Sequence, residues 1–128
     1  MLLIRQIPFR RRRERLSKAV QPLTLVAATY ASDDLVLILQ FDRAISAAGV
    51  DVGQFQLFDG VFNFRSYVGG GVPTLDDPMT LRVELTELGA AGAGNVSMTA
   101  GAENGIVASG DGGTWSGVND LRLPFPPP

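Results

Sequence analysis

Three features of the sequence predict an all-β protein. Apolar and polar residues alternate with a period of two from Leu23 onward. No helical periodicity of any length follows Pro22. Fifteen Gly and eight Pro, spread without a repeat over 128 residues, punctuate the chain at short intervals. Together these point to one β-sandwich of about seven short strands, with turn signals about every ten residues. The length leaves room for one domain, and an apolar content of 45% supplies a core. The expected divisions are an extended N-terminal arm over 1–22, the sandwich over 23–123 and a Pro-rich tail over 124–128.

The arm divides at Pro8. Before it stands a small apolar tip with Leu2, Leu3, Ile4 and Ile7, continued by Phe9. Arg10 to Lys18 is a basic stretch long enough for two turns of helix, with Glu14 at i±4 from Arg10 and Lys18. Leu23 to Ala31 reads as the first strand and Asp33-Asp34 as a turn. Leu35, Leu37, Leu39 and Phe41 then share one face, opposite Val36, Ile38 and Gln40. A run apolar on both faces suits a central strand covered on both sides, or one whose outer face meets another protein. Asp42 to Gly49 breaks the alternation and suits a short helical turn. Gln54–Phe58 and Val61–Val68 form a hairpin about Asp59-Gly60, a favourable two-residue turn. Gly69-Gly70-Gly71 opens a loop to Pro78. Leu81, Val83 and Leu85 alternate with Arg82, Glu84 and Thr86 as a half-buried strand. Gly89–Gly94 is a small-residue turn, Asn95–Ala100 a strand, and Ala102–Gly117 a loop with a brief strand at Ile106-Val107. Val118–Phe125 is the last strand, and the prolines after it make a stiff tail that cannot continue a sheet.

Charge is divided sharply between arm and body. Residues 1–21 hold seven basic groups (Arg5, Arg10, Arg11, Arg12, Arg13, Arg15 and Lys18) against the single acid Glu14, a net of +6. The other 107 residues hold four basic and twelve acidic groups, a net of −8. A basic arm repels itself and buries little, so its use is to hold the body onto something else. The chain has no Cys and no His. That removes disulfides, thiolate nucleophiles, Cys-type metal sites, the usual general base near neutral pH and the commonest metal ligand. Neither an enzyme nor a cofactor is expected. Glu84 and Glu87 are placed on an outward strand face and a turn, which does not suit a glycosidase pair. Gly69–Gly71 lacks the Lys-Ser/Thr and the helix of a phosphate loop. The Asp pairs at 33–34 and 76–77, and Asp111, read as turn formers rather than calcium ligands. No run reaches the roughly 20 apolar residues of a membrane span, and the start does not follow the order of a secretory signal.

"LTLVAATYASDDLVLILQFDRAIS", "VDVGQFQLFDG", "DPMTLRVELTELGAAGAGNVSMTAG" and "IVASGDGGTWSG" resemble the bacterial immunoglobulin-like modules of surface proteins and phage virion proteins. The positions that carry the likeness are Leu37, Leu39, Phe41 and Asp42, then Phe55, then Leu81, Val83 and Leu85, then Asp111 and Gly112. It covers about residues 23 to 123 and mostly records how a sandwich packs. The resemblance implies an immunoglobulin-like sandwich. Two departures stand out: one module where adhesins string several, and a basic arm that adhesin modules lack. A single sandwich with such an arm resembles small phage structural proteins: capsid decoration, head–tail joining, or tail accessory proteins.

The expectation is therefore a non-enzymatic virion protein, localised to the virion. Its partners would be capsid or tail subunits, with the chain a homo-oligomer or lattice-bound. The expected partner-binding residues are Leu3, Ile4, Ile7, Phe9, Arg10, Arg11, Arg12, Arg13, Arg15 and Lys18. The arginine forks suit protein carboxylates; they also suit nucleic-acid phosphates, but a body at −8 would repel a polyanion. The short apolar tip argues against a membrane surface. Trp115, the single Trp, falls in a loop where it either caps the core or contacts a sugar or a neighbouring subunit. The alternative function is a surface-attachment module. It would bind carbohydrate or a host protein through loops near Trp115 or Gly69–Pro78.

Overall fold

The computed structural model describes residues 20–128. Nine strands follow in order: β1 (Leu25–Ala31), β2 (Val36–Phe41), β3 (Ile45–Ser46), β4 (Phe55–Asp59), β5 (Arg65–Asp77), β6 (Thr80–Ala90), β7 (Val96–Ala100), β8 (Val107–Ala108) and β9 (Val118–Arg122). Among the described residues there is no α-helix, only a 3-10 turn at Val52–Gln54, so the protein is all-β. Seven strands form one antiparallel sheet in the order β1-β2-β6-β5-β4-β7-β9, and β3 pairs with β8 in a separate two-stranded ribbon.

The sheet is continuous and curls around one core. Period-two patterning drives this: Leu37, Leu39 and Phe41 of β2, Leu81 and Val83 of β6, and Met98 of β7 all lack solvent exposure. Each such side chain stabilises the fold by about 1.5–3 kcal/mol on burial. On the opposite face of β2, Val36 is also buried and Ile38 half-buried, so the expected cover on both sides holds at one end of the strand.

The corner of the curl lies in β5 and β6. The register passes from Gly70↔Glu84 to Thr74↔Arg82, leaving Gly71, Val72 and Pro73 opposite Val83 alone. Such a bulge bends and twists a strand. It lets the first part of β5 pair with β4 while the start of β6 pairs with β2. The segment expected as a Gly69–Pro78 loop is thus mostly strand. Its glycines serve close packing: a Cβ on Gly69 would overlap the Val52 carbonyl, and Gly71 has φ +68°. The actual turn is Pro78-Met79, where the Asp77 carboxylate accepts the Met79 N–H at 2.8 Å.

Three other expectations need correction. Asp42–Gly49 forms no helical turn; Ile45-Ser46 pairs with Val107-Ala108 because Ile45 is drawn into the core. The β4–β5 connection is five residues long rather than a two-residue Asp59-Gly60 turn, since Asp59 is itself strand and buried. The tail does rejoin the sheet: Phe125 and Ala28 exchange backbone hydrogen bonds of 2.8 and 2.9 Å. That bridge lies between the prolines and ties the chain past β9 to β1, so the two edges of the sheet meet at one point.

Candidate attachment surfaces

The start of the described chain is held chiefly by the Arg43 side chain. Arg43, just after β2, donates from Nη1 to the Pro22 carbonyl at 3.2 Å and to Asp42 at 3.3 Å. Its Nη2 donates to the Gln21 carbonyl and pairs with Asp111 at 3.1 Å. The planar fork can reach four acceptors at once, which Lys cannot do. The Gly113 N–H, the Arg43 guanidinium and the Gln21 N–H together hold the Asp111 carboxyl below its usual range, against a smaller desolvation effect. Leu23 N–H to the Thr114 carbonyl, 2.9 Å, completes the root. Gln21 and Pro22, near the start of the described residues, are thus braced beside Asp42 and Asp111.

At the other end of β1 stands a rigid turn with an apolar surface. The Asp59 carboxylate has no solvent exposure. It accepts N–H groups from Val61 (3.0 Å), Phe62 (2.7 Å) and Asn63 (3.0 Å), and the Tyr30 hydroxyl at 2.8 Å. Desolvation pushes its pKa up, but these four donors outweigh it and hold the carboxyl below its usual value. Burial and the neighbouring carboxylate push the Tyr30 phenol above its ordinary value. Asn63 Nδ2 donates to Tyr30 Oη and to the Ser32 carbonyl, both at 3.3 Å. Gly60 N–H bonds the Asn95 carbonyl and Ala91 N–H the Phe64 carbonyl. Braced in this way, the turn exposes 48% of Val61, 57% of Phe62 and 43% of Phe64. Preordered aromatic side chains lose little entropy on docking, which is what a contact surface needs. The sequence reading missed this surface, although "DGVFNF" carries its signal: three large apolar residues inside a turn.

Trp115 lies in the core, 7% exposed, with its ring edge-on to Phe41 at 5.3 Å and 75°. Asn104, fully buried, holds the surrounding loop. It donates to the Gly101 and Trp115 carbonyls (2.7 and 2.9 Å) and accepts the Ile106 N–H (2.9 Å). The outer face of β5, β4, β7 and β9 carries an open groove of about 510 Å³, bounded by Phe58, Leu88, Ser97, Thr99, Asp120 and Arg122. Among the described residues no three acidic side chains converge as a metal site, and no helix is long and apolar enough to cross a membrane. The expected partner-binding residues Leu3, Ile4, Ile7, Phe9, Arg10, Arg11, Arg12, Arg13, Arg15 and Lys18, with the helix expected over 10–18, lie outside the described residues.

No protein-family model, no curated protein and no solved structure matches this chain.

Proposed function

We propose that this protein is a non-enzymatic structural component of a phage virion: a decoration, head–tail or tail accessory protein held to neighbouring subunits by its N-terminal arm. The observation that carries this reading is the charge division, +6 in residues 1–21 against −8 in the rest, on an arm whose root is braced by Arg43. An immunoglobulin-like topology is part of the proposal. With β1, β2, β4, β5, β6, β7 and β9 taken as strands A to G, the sheet runs A-B-E-D and then C-F-G. Those are the strand orders of the two immunoglobulin sheets, here joined by the pairing of β5 with β4. On a symmetric particle, many weak arm contacts add up to firm attachment. Deleting residues 1–21 should leave a folded domain that no longer purifies with the particle. Normal incorporation of that truncation would overturn the reading.

The exposed turn at Val61–Phe64 supports a second reading, a surface-attachment module that grips carbohydrate or a host protein. It takes the place of the buried Trp115 and of the strand at Gly69–Asp77 as the contact loop. Binding lost on Phe62→Ser but kept without the arm would favour this reading.

A further inference from the structure

No ladder pairs the two edge strands of the sheet, β1 and β9; the chain just past β9 is joined to β1 by the Ala28–Phe125 bridge. Beside it lies a cleft of about 290 Å³ walled mainly by Leu23, Leu25, Trp115, Val118, Leu121 and Phe125, with the exposed Thr24 and Ser116 adding polar atoms to its lining. Leu23 and Trp115 form its buried floor, while Leu25, Val118, Leu121 and Phe125 are only half-covered. The cleft is at the lower limit of the about 300–1,000 Å³ typical of small-molecule sites. An apolar cleft beside an unpaired strand edge suits side chains of an extended segment, which adds backbone bonds to the edge as it seats.

We propose that this cleft receives residues 2–9 of a second copy of the chain, docked in extended form. The inference rests on the arm-anchoring function proposed above and names the arm's receptor. Nineteen residues precede the described chain, which begins three residues before Leu23 of the cleft wall. Leu2, Leu3, Ile4, Ile7 and Phe9 match the apolar walls, and the arginines after them would meet an acidic body. Asp42 accepts the Thr24 N–H of the cleft wall at 3.3 Å, and Arg43 links it to Asp111, so two carboxylates stand with one guanidinium beside this end of β1. A second copy fits better than the chain's own arm. To fill its own cleft, the chain would have to double back within residues 10–18, folding five arginines and Lys18 over one another against their repulsion. A neighbour's arm enters without that reversal, and the contact is then head-to-tail.

The absence of cysteine makes the test direct. Full-length Leu3→Cys is mixed with full-length Leu121→Cys, or with Val118→Cys should the first cleft variant have a lowered unfolding midpoint, and the mixture is oxidised. A mixture with Val72→Cys, 78% exposed on the β5 bulge, is the control. The expected result is a disulfide-linked heterodimer with the cleft variants and none with Val72→Cys. Equal linkage to cleft and bulge would overturn the inference. So would a double variant, Leu3→Cys with Leu121→Cys, that closes only within the monomer. Arm-dependent association by light scattering without linkage to the cleft would overturn the receptor assignment and leave arm anchoring standing. Loss of both, with normal particle incorporation of the arm deletion, would overturn both.

Discussion

Asp59→Asn tests the account of the β4–β5 turn most sharply. The native carboxylate accepts four hydrogen bonds at 2.7–3.0 Å with no exposure to water. Asn keeps one acceptor oxygen and sets an NH₂ where the other stood. At least one backbone N–H then loses its partner, only the Tyr30 hydroxyl being able to turn and accept, and the remaining bonds lose their charge assistance. A part-buried donor left unsatisfied costs about 1–3 kcal/mol, and the weaker bonds to a neutral oxygen add to it, giving about 3 kcal/mol in all. For a domain of this size that is a fall in Tm of roughly 10 °C or more. Urea unfolding followed through Trp115 emission should show a lower midpoint with an unchanged slope. The pH dependence has a defined sign. The native carboxyl is held below its ordinary value, so its ionisation stabilises the fold above the unfolded pKa of about 4. That stabilisation is lost as pH falls through the native pKa. The gap between wild type and Asp59→Asn should therefore be constant at neutral pH and narrow below about pH 4. Equal midpoints at pH 7, or a gap that persists unchanged in acid, would refute the assignment of the turn's rigidity to the charged carboxylate.

Three more outcomes follow from the packing. Trp115→Ala should cost about 3–5 kcal/mol in urea unfolding followed by circular dichroism, as removal of a buried aromatic does. Arg43→Ala should speed amide exchange at Leu23, whose N–H bonds Thr114 at the arm root, while Leu57 in the core exchanges as before. Gly105→Ala should destabilise strongly by thermal melt, because Gly105 has φ +76° and a Cβ there would overlap the Gly49 carbonyl.

What the sequence disclosed and what it concealed have physical causes. β2, β6 and β7 were legible because alternation follows directly from one buried face, and Leu37, Val83 and Met98 obey it. The Gly69–Gly71 run misled because glycine marks a turn and a tight approach with the same letter; here Val52 crosses close by. Asp59 read as a turn residue because an acid is rarely fully buried, and nothing local discloses the four donors that converge on it. The Phe125 bridge joins residues 97 positions apart, beyond any local pattern. Arg43 carries no local sign of its role either, since its acceptors come from Gln21, Pro22 and Asp111 as well as its neighbour Asp42.

The two candidate contacts lie at opposite ends of the domain, and that separation has a consequence for assembly. β1 runs from the arm root at Leu25 to Ala31, beside the turn that Asn63 ties to Ser32. Seven residues at about 3.3 Å each keep the ends about 20 Å apart. A copy whose cleft holds a neighbour's arm thus keeps Val61, Phe62 and Phe64 free for another surface. The two contacts also differ in kind, since the arm brings charge beside its apolar tip and the turn brings apolar area alone. Salt screens exposed ion pairs beyond about 8 Å at physiological strength and at shorter range as it rises, whereas apolar burial is not weakened by it. Raising salt should weaken the arm contact by its charged share and spare the turn contact, so a salt titration of particle binding, read separately for the arm deletion and for Phe62→Ser, assigns each contact to its end of the domain.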